Sequence, residues 1–283
     1  MTTPDAADEK LKIGIVQMNS GSDFEANCEK LTQFIKAAAG DGACYVQTPE
    51  NSLLMELDKT RVEAIADSEN YAQALGSIGK LAGELQIYIH LGSAATLLND
   101  GRNPKLANRS YLFGPDGNLV SFYDKIHMFD AELPQGESYR ESASYRAGEK
   151  AVVTDCGFAN VGLTICYDLR FPRLFRSLAS AGAEIICVPA AFTRQTGAAH
   201  WHILLRARAI ETGSFIIASA QTGRHDNGRE TFGHSLIVGP WGNVLVDGGT
   251  APSYYCAEIE LAEIEAARSA IPALYSDQTF KPA

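Results

Sequence analysis

The sequence predicts an α/β protein built as a four-layer α-β-β-α sandwich of two pseudo-repeated halves. Three observations predict it. Short runs rich in Val and Ile alternate with stretches of helical periodicity, the pattern of strands covered by helices. Those runs are continuously apolar rather than alternating, as in sheets buried on both faces. The chain also echoes itself: Lys12-Ile13-Gly14-Ile15-Val16-Gln17-Met18 matches Asn160-Val161-Gly162-Leu163-Thr164-Ile165-Cys166, and Gly114-Pro115-Asp116-Gly117-Asn118 matches Gly239-Pro240-Trp241-Gly242-Asn243. Each half then reads strand–helix–strand–helix–strand–strand–strand, and two such sheets packed face to face with helices outside make four layers.

The elements follow in order. Residues 1–10 are polar and acidic and read as a disordered leader; 11–275 form a single domain, and 276–283 a tail. A strand is expected over 11–18. Ser22 or Asp23 caps a helix whose apolar face is Phe24, Cys28, Leu31, Phe34, Ile35 and Ala38, and Gly40 ends it. A strand over 43–47 delivers Glu50 at its end. A polar segment precedes a helix over 71–85 and a strand over 87–94. Strands over 108–113 and 119–123 flank the first Gly-Pro turn as a hairpin, and Lys125 leaves it. The stretch 126–150 reads as a long polar loop, of the kind that is functional or disordered. Strands over 151–155 and 161–165, a helix over 172–181 opened by Pro172, and a strand over 184–188 follow. Then come a helix over 197–212, a strand over 215–220, and a hairpin of 233–238 with 244–246. A strand over 253–259 closes this second sheet.

Composition narrows the function. A net charge of −10 argues against a general nucleic-acid or anionic-membrane binder. No apolar run approaches the roughly 20 residues of a membrane span, and no secretion signal is apparent. The cysteines Cys28, Cys44, Cys156, Cys166, Cys187 and Cys256 form no C-x-x-C pair and no zinc spacing. They read as reduced thiols of a cytoplasmic protein.

Cys166 stands where a strand ends and the chain turns toward a helix. A nucleophile there is held rigidly, with backbone N–H groups close by for an oxyanion. A lone cysteine after an apolar strand is also what a small core residue looks like, and the stretch alone leaves both readings open. With Glu50, Lys125 and Glu141 it makes chemical sense. A thiol of pKa about 8.5 needs a base at neutral pH, which Glu50 can supply. Lys125 with the N–H of Tyr167 can hold an oxyanion, and Glu141 can orient Lys125 and a substrate amide. A rival Cys–His dyad would use His127. His200 and His202, two apart on a helix, face different sides, so no metal site is expected and no cofactor is implied; His200 is expected to bond backbone near the site. Arg206, Arg208 and Glu211 are expected to form ion pairs.

Pro49-Glu50, the run Asp124-Lys125-Ile126-His127-Met128-Phe129-Asp130 and the run Cys166-Tyr167-Asp168-Leu169-Arg170-Phe171-Pro172 carry a resemblance. Over about 11–275 the sequence resembles the nitrilase, or carbon–nitrogen hydrolase, superfamily. Ala198-Ala199-His200-Trp201, Arg206-Ala207-Arg208-Ala209-Ile210-Glu211 and Gly233-His234-Ser235 also match it. The resemblance implies a nitrilase-like sandwich, a Glu50–Lys125–Cys166 triad with Glu141 as second glutamate, no metal, a small-molecule amide substrate, and homodimers or larger assemblies. The runs 205–212 and 220–225 resemble the amidase branch that acts on deaminated glutathione. The sister branch, ω-amidases on α-ketoglutaramate and α-ketosuccinamate, is the alternative, with nitrilase or carbamoylase activity behind it and a non-catalytic binding relative as a different class. Both leading branches cut an amide near an α-keto acid, which implies a carboxylate-binding arginine: Arg170 is the candidate, with Arg194 as a further contact. Phe192 and Thr196 match pocket-lining positions.

Overall fold

The structure, a computed structural model, describes residues 10–103, 106–134, 136–276 and 278–279. The expected leader lies outside them except for Lys10, and so does most of the tail. In chain order the first half supplies β1 (Lys10–Gln17), α1 (Phe24–Gly40), β2 (Tyr45–Gln47), α2 (Lys59–Ala66), α3 (Glu69–Leu85), β3 (Tyr88–Leu97), β4 (Leu106–Phe113) and β5 (Leu119–Asp124). A connecting segment carries β6 (Asp130–Glu132), β7 (Ser138–Arg140) and a 3-10 turn, Glu141–Ala143. The second half supplies β8 (Val152–Asp155), β9 (Asn160–Leu163), α4 (Pro172–Ser180), β10 (Ile185–Cys187), α5 (Arg194–Thr212), β11 (Phe215–Ala218), the short pair β12 (Thr222–Arg224) and β13 (Glu230–Phe232), then β14 (Leu236–Val238) and β15 (Val244–Asp247). β16 (Ser253–Glu260) and α6 (Ala262–Ala270) complete the described elements.

Two six-stranded sheets result, ordered β16-β1-β2-β3-β4-β5 and β15-β14-β11-β10-β9-β8. Read outward from β1 and from β9 they have the same topology, so the repeat read in the sequence is real. One expectation changes. The last strand does not close the second sheet; β16 pairs antiparallel with β1 along its whole length, Lys10 opposite Glu260 to Gln17 opposite Ser253. It occupies in the first sheet the edge that β8 occupies in the second, so the chain's last strand completes its first sheet.

The echoed glycines explain themselves in the packing. On β1, Ile13 and Ile15 join the core between the sheets, while Val16 belongs to the core under the helices. Gly14 faces the helix side, where a Cβ would lie 3.2 Å from both Ala38 Cβ and Val46 Cγ2. Gly162 does the same on β9, 3.2 Å from Ala183 Cβ and 3.4 Å from Leu178 Cβ. In each half a glycine lets the first helix settle on its sheet. Burial of α1's Leu31 and Ile35 against that sheet contributes about 1.5–3 kcal/mol each. Asp23 caps α1 by accepting from Ala26 N–H at 3.0 Å, as expected.

The halves are stitched at one end by side chains on strand termini. Gln47 accepts from Ser219 N–H at 2.8 Å, and its carbonyl accepts from Ser219 Oγ at 2.9 Å. Gln17 accepts from Ser235 N–H at 2.8 Å. A Cβ on Gly92 would stand 2.0 Å from the Thr48 carbonyl and 2.5 Å from Pro189, so only glycine fits where the sheets meet. Three features were not anticipated, the short pair β12 and β13 being one of them. α2 has a single buried residue, Val62, and is fixed by its cap, Asp58, which accepts from Thr60 and Arg61 N–H. The stretch over 126–150 is not an open loop but a hairpin followed by a turn. α5 starts three residues before the expected 197, because Thr193 caps it through Thr196 N–H.

Candidate active site

Cys166 sits past β9 at φ 50°, in the left-handed region that a side chain seldom adopts. Surrounding bonds hold it there. Its N–H donates to the Pro189 carbonyl at 2.9 Å. The buried Asp168 carboxylate accepts from Ile165 N–H at 2.9 Å, Tyr123 Oη at 2.7 Å and His127 N–H at 3.0 Å. Asp168 therefore ties the cysteine turn of the second half to the end of β5, which carries Lys125. The N–H of Tyr167, next in the turn, has no acceptor among the described residues.

Glu50 is 3% exposed, three residues beyond β2. Its Oε2 accepts from Ala191 N–H at 2.9 Å, and its Oε1 accepts from Lys125 Nζ and from Asn108 Nδ2, each at 2.9 Å. Lys125 Nζ also lies 2.9 Å from both oxygens of Glu141, whose Oε2 accepts from Phe129 N–H at 2.6 Å. Asn108, from β4, spans the two carboxylates, donating to Glu141 Oε1 at 3.1 Å as well.

The charges settle one another. Burial pushes the Cys166 thiol well above its ordinary range, the Glu50 carboxylate adds to this, and Lys125 offsets only part. Burial works against the Glu50 anion too, but the Lys125 ammonium and its hydrogen bond, the neighbouring Cys166 thiol and the Arg229 charge outweigh it and hold the carboxyl below its ordinary value. Lys125 is raised well above the usual range because Glu141 and Glu50 overcome the cost of burying its charge. The resting set is thiol, carboxylate and ammonium, with the thiol beside the Glu50 carboxylate.

Glu50, Lys125, Glu141, Cys166 and Tyr167 thus come together as the sequence expects. Cys166, Tyr167, Arg170, Phe192 and Thr196 line one recess, with a cavity of about 10 Å3. Arg194 does not: it is mostly exposed, pairs with Glu230 at 3.0 Å, and lines a separate outer groove. His127 Nδ1 lies 2.6 Å from Asp168, and its ring stacks on Phe171, so it is engaged away from the thiol. His200 bonds Arg170 Nη1 at 3.1 Å rather than backbone. Arg208 pairs with Glu211 at 2.9 Å, whereas Arg206 donates to the Gly242 carbonyl. His202 meets His234 and Asp247, whose carboxylate bonds both imidazoles at 3.0 and 2.8 Å. It is the described grouping with metal-ligand chemistry.

Two site residues escaped the sequence reading. Asn108 could have been found as a polar residue among the apolar positions of a central strand. Arg229 offered no signal, standing in a polar Asn-Gly-Arg turn. It lines the recess, donates from Nη2 to the Ala191 carbonyl at 2.6 Å, and lies over the Tyr139 ring. Its buried Nε has no hydrogen-bond partner. Among the described residues neither Arg170 nor Arg229 has a carboxylate partner, while Arg109, Arg194 and Arg208 each do. Two guanidinium groups without a salt bridge therefore flank the thiol, and the charge of Arg229 also reaches the Glu50 carboxylate.

The carbon-nitrogen hydrolase family profile matches residues 12–269. The sequence is 38% identical to a protein of Yersinia enterocolitica named deaminated glutathione amidase, over 93% of this chain and 91% of that one. Among solved structures, the C. elegans NitFhit protein superposes with a TM-score of 0.87 at 32% identity, over 96% of this chain and 66% of that longer one. Saccharomyces cerevisiae Nit3, a member of branch 10 of the nitrilase superfamily, superposes with a TM-score of 0.83 at 27% identity, over 98% of this chain and 99% of that one.

Proposed function

The chain belongs to the carbon-nitrogen hydrolase family, and on that premise we propose that it cleaves the linear amide of deaminated glutathione, with Glu50, Lys125 and Cys166 as its catalytic residues. The observation that carries the mechanism is the placement of Glu50, bonded to the Lys125 ammonium at 2.9 Å and electrostatically coupled to the Cys166 thiol beside it. As Sγ attacks the amide carbon, Glu50 takes the thiol proton. Lys125 and the Tyr167 N–H stabilise the oxyanion. Glu50 then gives its proton to the amide nitrogen; the C–N bond breaks, the amine leaves, and a thioester remains. Water attacks the thioester while Glu50 takes its proton; the C–S bond breaks, the acid leaves, and Glu50 returns the proton to sulfur. Glu141 is the positioning residue for Lys125. Arg170, with Phe192 and Thr196, receives the carboxylate end of the acyl group. Arg194 is withdrawn from that role by its pairing with Glu230.

The test is product release from deaminated glutathione, α-ketoglutaramate, an aliphatic amide, an N-carbamoyl amino acid and a nitrile. Strongest turnover is expected on deaminated glutathione, read as the freed amine. Preference for α-ketoglutaramate would replace the branch with an ω-amidase, a second reading favoured by the small volume of the recess. No turnover of any, with Cys166 inert to alkylation, would leave a binding protein.

The charge states give a pH expectation. Glu50 is an anion down to below its ordinary value of 4.5, and the thiol needs no prior ionisation. So kcat/KM should hold level across neutral pH, fall only on the acid side as Glu50 protonates, and show no rise near pH 8–9. A thiolate-type rise there would exclude Glu50 as the base. Glu141→Gln keeps the shape but halves the hold on Lys125; kcat should fall about 100-fold with little change in KM.

Two further readings go with this one. The six cysteines are all free thiols, which supports work in a reducing compartment such as the cytoplasm; among the described residues no helix is long and apolar enough to cross a membrane. Ile210, Trp241 and Ile271, each more than half exposed, border one depression beside α5 and α6, which supports a homo-oligomer through this face. Sedimentation of Ile210→Glu should show a smaller species than the wild type.

A further inference from the structure

We infer that the outer groove beside the recess is the subsite for the amine half of the substrate, a short peptide ending in a carboxylate, and that Arg229 at their junction reads that carboxylate. This rests on the amidase reading above and deepens it.

Size comes first. The recess has a cavity of only about 10 Å3, far below the roughly 300–1,000 Å3 of ordinary small-molecule pockets. That is room for about one water beside the thiol and none for a whole tripeptide-like amide. The outer groove is open and holds about 900 Å3. The two are joined by shared walls. Thr193 and Thr196 of the first turn of α5 line the recess while Arg194 and Gln195 line the groove, and Arg229 lines both.

Direction comes next. The amide nitrogen must depart toward Glu50, which protonates it. The backbone N–H of Ala191 bonds Glu50, and its carbonyl accepts from Arg229 Nη2, so Arg229 stands one peptide unit from the acid. From there its guanidinium reaches over the Tyr139 ring, a groove residue. The leaving amine therefore passes along Arg229 on its way out. Arg170 is held by other partners, over the rings of Tyr167 and Phe192 and bonded to His200. The two guanidiniums serve opposite ends of the substrate: Arg170 the acyl carboxylate, Arg229 the far one.

Charge comes last. Among the groove's arginines, Arg194 is neutralised by Glu230. Arg229 has no carboxylate partner among the described residues. Its charge reaches Glu50 but it makes no hydrogen bond to a carboxylate, and its buried Nε has no partner, so it keeps donors free for an anion from the substrate. An amide releasing only ammonia would leave both Arg229 and the groove unused.

The experiment is a cycle over substrate and enzyme. Three amides share the 2-oxoglutaryl group and differ in the amine: ammonia, the Cys-Gly dipeptide with its free carboxylate, and the same dipeptide as its C-terminal carboxamide. Each is assayed with wild type, Arg229→Ala and Arg229→Lys. Converting carboxylate to carboxamide should cost the wild type about ten- to hundredfold in kcat/KM, mainly through KM. The same change should cost Arg229→Ala less than about threefold, with Arg229→Lys between. An equal penalty in wild type and Arg229→Ala, or no penalty in wild type, overturns the assignment. A wild type that hydrolyses only the ammonia amide instead overturns the deaminated-glutathione reading itself. If Arg229→Ala does not fold, the wild-type penalty and its partial retention in Arg229→Lys decide the matter.

Discussion

Cys166→Ala should fold like the wild type and lose about 10^5- to 10^6-fold in kcat, the scale of losing a covalent nucleophile. The two halves of that statement have separate causes. Alanine keeps the Cβ, so the strain at φ 50° is unchanged, and the backbone bond to Pro189 and the Asp168 clamp do not involve the thiol. Glu50 keeps its bonds to Lys125, Asn108 and Ala191 N–H. Only a small, nearly buried sulfur is lost, and thermal unfolding should move by a few degrees at most. Chemically everything is lost, because the remaining donors can polarise an amide but nothing forms the thioester. Intact-mass measurement during turnover should show an acyl adduct on the wild type and none on the variant. A Cys166→Ala protein keeping even a hundredth of wild-type activity would rule out a thioester route through this residue.

The sequence foretold the layers better than the connections, for a physical reason. Continuous apolar strands and the repeated glycines are local consequences of burial on both faces, so Gly14 and Gly162 announce their helices without any knowledge of the partner. The position of β16 is not local. Its residues are compatible with either sheet, and only the pairing with β1 decides. α2 was missed because one buried residue leaves almost no periodicity to read, and its cap carries it. In the site, Glu50, Lys125 and Cys166 stood out at the ends of apolar strands, whereas Glu141 lay in the polar stretch after them and only the family resemblance marked it. Arg194 and Arg229 are both arginines in polar surroundings; what separates them is that one is bridged to Glu230 and the other has no salt bridge among the described residues, a fact of the fold that spacing does not carry. Asn108 was the legible omission, since a buried amide in a central strand requires a partner.

Lys125→Met should be the most destabilising change in the site, by about 3–5 kcal/mol, because it leaves buried charge without its partner. In the native cluster one ammonium holds two carboxylates, Glu50 and Glu141, and Asn108 donates to both. Without the ammonium those carboxylates face each other with one amide between them, and one must take up a proton to stay buried. The pH dependence follows. In the wild type Lys125 is raised, so its contribution is complete below its ordinary value of 10.5 and lost only as pH rises through the higher folded value. Glu50 is lowered, so its contribution is complete above 4.5 and lost only as pH falls through the lower folded value. Between those limits the cluster contributes a constant amount. In Lys125→Met the folded state raises a carboxylate's pKa instead, so acidification stabilises it. Urea unfolding should therefore show a smaller deficit at pH 5 than at pH 8. Replacing Glu141 as well, Lys125→Met with Glu141→Gln, removes the facing charge and should restore much of the stability at pH 8. It should restore no activity, since the oxyanion still lacks its ammonium. A deficit independent of pH, or one untouched by the second substitution, would mean that Lys125 supports the fold by packing alone, and that the two glutamates are not charged together in the native site.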